Sequence, residues 1–135
     1  MAQIKELVKS YFDQKGLKYT QHEKGFITVD YSLSNIKSLT ILLSIDEEDA
    51  KVELFSNSIG KFEQDKFAQG LLACNTCNTQ YRWVKFYIDD DNEVCIRADA
   101  ILDEATCGKE CLEVVERMAI IINEAYPAFM KARWA

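Results

Sequence analysis

The chain has 135 residues, 48% of them hydrophobic and 11% aromatic, enough for a single core that buries roughly two thirds of the surface of the unfolded chain. Its 22 acidic residues outweigh its 16 basic ones, giving a formal net charge of -6, and no run of Lys and Arg makes a local basic stripe. That balance repels phosphate backbones and anionic lipid, so neither nucleic acid nor a membrane is expected as a partner.

The N-terminus alternates charged and apolar residues where an export signal needs a continuous apolar stretch, and the apolar run Met118 to Ile122 is far short of the ~20 residues of a membrane span. The expectation is a soluble, cytoplasmic protein. An odd number of cysteines, 5, without an export signal points to reduced thiols.

From Ile4, the positions Leu7, Val8, Tyr11 and Phe12 recur on one helical face, and Lys15-Gly16 supplies a basic last turn and a left-handed cap. The period then changes to two. Ile27, Val29, Tyr31 and Leu33 predict one strand and Leu39, Ile41, Leu43 and Ile45 another; a short strand over Lys18 to His22 precedes them and one over Lys51 to Ser56 follows the acidic turn Asp46-Glu47-Glu48-Asp49. A helix over Gln64 to Thr76 is predicted with Phe67, Leu71 and Cys74 as its buried stripe, flanked by Ala68 and Leu72.

A hairpin follows, Tyr81 to Ala100, turning at Asp89-Asp90-Asp91-Asn92. Its first strand sets Val84, Phe86 and Ile88 on one face and Tyr81, Trp83, Lys85 and Tyr87 on the other. Burial of both faces is the favoured reading; the alternative is an open aromatic surface suited to a protein segment. Thr106 caps a long last helix with Cys111, Val115, Met118, Ile122, Ala125 and Phe129 on one face. Pro127 should kink or restart it, leaving the tail through Trp134 as a separate turn. Strand clusters joined by tight turns make residues 1–135 one α+β domain, an antiparallel sheet with helices packed on it in the order α-β-β-β(-β)-α-β-β-α.

The chemistry-bearing residues are few. Cys74-x-x-Cys77 has a spacing used by zinc and dithiol sites, and Cys107-x-x-x-Cys111 offers a second pair. Both sit on apolar helical stripes, and the first lies toward a helix C-terminus, where the dipole opposes a thiolate. Small buried hydrophobes are the preferred reading, with a cysteine-based zinc or thiol redox protein as the alternative. The Asp89 to Glu93 run lacks the alternating ligands and central Gly of a calcium loop and reads as a solvated turn, as does Asp46 to Asp49. His22 is the sole histidine, so a multi-histidine metal site is excluded, and the sequence carries no nucleophile elbow, phosphate loop or dinucleotide fingerprint. No catalytic residue and no cofactor are assigned.

The segment Leu71-Leu72-x-x-Asn75-x-x-Asn78, followed by the aromatic strand, the acidic turn, Ile96-x-x-Asp99 and Tyr126-Pro127 near the end, resembles the YbjN-like family, described as bacterial sensory transduction regulators. The resemblance implies a type III secretion chaperone-like fold, commonly dimeric, without cofactor or catalytic residues. Asn75 and Asn78 match the family's paired asparagines and are explained physically as helix-end caps. The function expected is that of a non-enzymatic protein-binding or regulatory module, a homodimer that holds a partner protein segment, with Asn75, Asn78 and Trp83 as candidate binding residues.

Overall fold

A computed structural model describes residues 3–135; Met1 and Ala2, which open the stretch read for an export signal, lie outside the described residues. The order is α1 (Ile4–Lys15), β1 (Thr20–Gln21), β2 (Ile27–Tyr31), β3 (Leu39–Asp46), β4 (Lys51–Lys61), α2 (Phe67–Gln80), β5 (Lys85–Ile88), β6 (Glu93–Ile101) and α3 (Cys107–Trp134). This is the predicted α+β order, with the optional fourth strand of the first cluster present. The six strands form one antiparallel sheet in the order β1-β2-β3-β4-β6-β5.

The period-two pattern buries one face of this sheet. The register sets Val29 against Ile41, Leu43 against Leu54, Leu54 against Ala98 and Phe86 against Ile96, so their side chains line a single apolar layer. Phe12, Met118, Ile122 and Phe129 from the helices close the core over it, with Phe86 stacked on Phe129 at 5.6 Å between ring centroids. Every α3 position predicted for the inner face is buried.

Helix α1 ends as predicted, at Gly16 in the left-handed conformation (φ 74°). Its N-terminus shows a cap that local sequence hides. The Glu47 carboxylate accepts from the Ile4 amide at 2.7 Å and the Lys5 amide at 2.9 Å, so one residue of the acidic turn Asp46 to Asp49 satisfies two orphan helix donors. That turn is more than a solvated connection.

Several boundaries differ from expectation. Strand β4 continues past Ser56 to Lys61 through a bulge between Ser56 and Gly60, and Arg133 of α3 donates to the Ile59 carbonyl at 2.9 Å within it. Helix α2 runs on to Gln80, and its buried stripe is Gly70, Ala73, Cys74 and Cys77, while Leu71 and Leu72 face outward. The predicted stripe is therefore rotated: Gly70 lets α2 lie against Ile88 and Phe62, and a Cβ there would be 2.8 Å from the Ile88 side chain. Helix α3 passes through Pro127 without a break, and the segment to Trp134 belongs to it. The carbonyl that the proline leaves free, that of Asn123, accepts a side-chain amide from Asn35 instead.

Candidate binding surface around Trp83

The two family asparagines part company. Asn75 is exposed on α2, with no helix end near it. Asn78 works across elements: its Nδ2 donates to the Phe86 carbonyl at 2.9 Å and its Oδ1 accepts from the Phe86 amide at 2.8 Å. One side-chain amide thus pairs with the outer edge of β5 as a neighbouring strand would, so neither asparagine is the helix-end cap that local reasoning assigns.

Trp83 lies outside the strand on which periodicity places it. Its φ is 78°, an uncommon conformation for a bulky residue, and it turns the chain away before β5 starts at Lys85. The indole is 63% exposed, so neither the core reading nor the shared strand face with Tyr81 and Tyr87 holds. Arg117 of α3 lies over the ring at 5.6 Å and within 3.4 Å of Glu113.

Trp83 and Arg117 form a saddle between two open hollows. One, of about 230 Å³, is lined by Asp99 and Ala100 of β6 and by Glu110, Glu113 and Val114 of α3. The other, of about 380 Å³, is lined by Gln80, Tyr81, Arg82, Ile120 and Ile121. Ile120 and Ile101 add exposed apolar area at 58% and 85%. The α3 contributors escape a core-directed reading of the sequence; their signal is Glu110, Glu113, Val114 and Arg117 recurring three and four apart on the helix side away from the buried face.

The first hollow sits where β6 loses its neighbour. Pairing of β5 with β6 begins at Lys85 against Arg97, whereas β6 continues to Ile101 beside β4. Because the Phe86 amide and carbonyl point away from β6 to Asn78, antiparallel alternation turns the backbone groups of Arg97, Asp99 and Ile101 toward the β5 side. The Leu102 amide, donating to the Ala50 carbonyl at 2.7 Å on the opposite side, keeps that alternation. Beyond Arg97 this edge is vacated.

The cysteines are all buried free thiols. Burial pushes Cys74 and Cys111 up to about 12 and Cys95 up to about 11, and raises Cys77 and Cys107 as well. Cys74 and Cys77 face the core from α2, and Cys107 and Cys111 from the first turns of α3. Among the described residues no three His, Cys, Asp or Glu side chains converge as metal ligands. His22 is exposed, its Nε2 lying 3.0 Å from Thr28 Oγ1 and its ring stacked on Phe26. Among the described residues, no helix is long and apolar enough to cross a membrane.

Comparison with solved structures places the fold. The chain is similar to YbjN from E. coli, described as a putative transcription regulator, at 12% identity and TM-score 0.62, covering 92% of this chain and 91% of that one. It is similar to a structure of the heterodimeric complex ExoU-SpcU from the type III secretion system of Pseudomonas aeruginosa, at 14% identity and TM-score 0.57, covering 93% and 97%. It is also similar to a structure of the Yersinia pestis type III secretion chaperone SycH in complex with a stable fragment of YscM2, at 12% identity and TM-score 0.51, covering 93% and 98%. At these identities the likeness is one of fold, and the fold is secretion chaperone-like. No curated protein sequence matches. The family profile "Putative bacterial sensory transduction regulator" matches residues 5–131, and the chain belongs to that family, YbjN.

Proposed function

We propose that this chain is a non-enzymatic, cytoplasmic regulatory module, residues 1–135 acting as one domain, that holds a segment of a partner protein on the surface around Trp83 and works as a homodimer. The observation that carries the reading is the indole itself: a large aromatic side chain, 63% exposed, is held on left-handed backbone between two hollows. Such a conformation costs about 1–2 kcal/mol and buries little of the ring in return, which fits a residue kept for contact with another molecule. Structural neighbours determined in complexes with protein partners support the same class of function. For the second copy, support comes from α2, where Leu71 and Leu72 are exposed beside a groove lined by Ala73, Thr76, Ala128 and Ala132. Burial of the cysteines weighs against the zinc or redox alternative, since a ligand or nucleophile must be a thiolate.

Native mass spectrometry of the purified chain, followed by crosslinking capture with wild type and Trp83→Ala, tests this. The expected outcome is a dimer whose captured partner is lost in the variant. A strict monomer would remove the homodimer, and a partner set indifferent to Trp83 would remove the binding surface.

A further inference from the structure

We infer that the hollow between β6 and α3 takes an extended polypeptide segment that pairs with the vacated edge of β6 and delivers a Lys or Arg side chain to Glu110. The inference deepens the proposed function, on which it rests, by naming the chemistry of the segment.

Two independent features of the hollow carry it. The first is the edge. With β5 stopping at Lys85 and Trp83 turning the chain aside, Asp99 and Ile101 direct backbone groups toward the side that β5 has left. An extended peptide satisfies such groups, whereas a compact small molecule satisfies at most one pair. Farther along, Asn78 already pairs with Phe86 on the outer edge of β5. Strand addition is therefore blocked at Phe86 and left open beside Trp83.

The second feature is charge. Glu110 and Glu113 line the hollow with a single base, Arg117, which lies against Glu113 at 3.4 Å. Glu110 Oε2 is shielded from solvent and has no hydrogen-bond partner among the described residues. A shielded oxygen leaves no room for a ligand donor at hydrogen-bond distance, so what a cationic side chain entering beside Val114 would supply is charge opposite to that of Glu110 and Glu113. The neighbouring indole offers its face to the same cation or to the aliphatic stem behind it. A chain of net charge -6 adds long-range attraction for a basic segment.

The test uses three synthetic heptapeptides of alternating Thr and Val, with Arg, norleucine or Glu at the centre, titrated into the uniformly ¹⁵N-labelled chain. The expected result is that the Arg peptide moves the Trp83 indole, Asp99 and Ile101 signals and binds at least ten-fold more tightly than the other two. Glu110→Gln, with its fold checked by circular dichroism, should bring the Arg and norleucine peptides to within about two-fold of each other. Equal binding of the Arg and norleucine peptides to the wild type would overturn the inference, as would shifts that leave Asp99 and Ile101 untouched. If the partner captured by the whole chain is lost in Trp83→Ala but retained at full affinity in Glu110→Gln, the inference fails and the proposed function stands. Indifference of that partner to Trp83 defeats both.

Discussion

Asn35 Nδ2 donates at 3.0 Å to the backbone carbonyl of Asn123, the carbonyl four residues before Pro127 and so the one that the proline leaves without a helical amide. The same two residues meet again through Asn123 Oδ1, which accepts from the Asn35 amide at 2.8 Å and the Ile36 amide at 3.1 Å. The helix defect and the loop between β2 and β3 thus satisfy each other, and Ile36 is set into the core beside them. Asn123→Ala removes the acceptor of two loop amides, one of them partly buried. Urea unfolding should show a loss of about 1–2 kcal/mol. Pro127→Ala should restore the helical donor and make Asn35→Ala less damaging than it is beside proline, a coupling that a double-mutant cycle reads directly.

Asn78→Ala should cost about 1–3 kcal/mol, because the Phe86 amide and carbonyl lose their partner at a half-buried edge. It also lengthens the open strand edge. Light scattering should therefore show association beyond the wild-type dimer that grows with concentration. Asn78→Asp keeps the acceptor and loses the donor, so it should fall between the two. A variant of unchanged stability would show that the edge is held by α2 packing alone.

Gly108 is the point where α3 meets α1. A Cβ at this position would stand 2.4 Å from Tyr11 Cβ, an atom that no rotamer can move. Gly108→Ala should destabilise the protein by about 1–3 kcal/mol despite the better helix propensity of alanine. Tyr11→Ala should not rescue it, since the clashing atom remains; full rescue would place the conflict farther out on the ring.

The thiols make stability fall at alkaline pH. Burial raises Cys74 and Cys111 from 9.0 to about 12, so between those values the unfolded chain has lost protons that the folded chain still holds. Their stabilising contribution is complete below pH 9 and shrinks as pH rises toward 12. Unfolding free energy measured from pH 8 to 11 should decline, and Cys111→Ala should decline less steeply from a lower starting value, the cavity lowering the whole curve. A parallel decline would mean that Tyr31, also raised to about 12 by burial, and other groups carry the slope.

Periodicity alone determined the element order, the α+β class and the inner face of α3. Alternating Val, Ile and Leu in β2 and β3, and the stripe from Cys111 to Phe129, state which side must leave water whatever the partner element is. The pattern from Leu71 through Asn75 and Asn78 to the hairpin and Tyr126-Pro127 was enough to point to the family. Only tertiary structure decided what those residues do. Local sequence reads Asn78 as a cap, Glu47 as part of a solvated turn and Pro127 as a break, because the atoms that complete each of them belong to β5, α1 and the loop before β3. The same limit holds for the rotated stripe of α2, set by contact of Gly70 with Ile88 and Phe62. It holds for Trp83 too: a period of two describes residues in register with a neighbouring strand, and this residue has left the register. Spacing along a chain reports which faces are apolar, while hydrogen-bond partners and vacated edges arise from elements distant in sequence, so the surface around Trp83 became visible only when β6 and α3 were placed beside it.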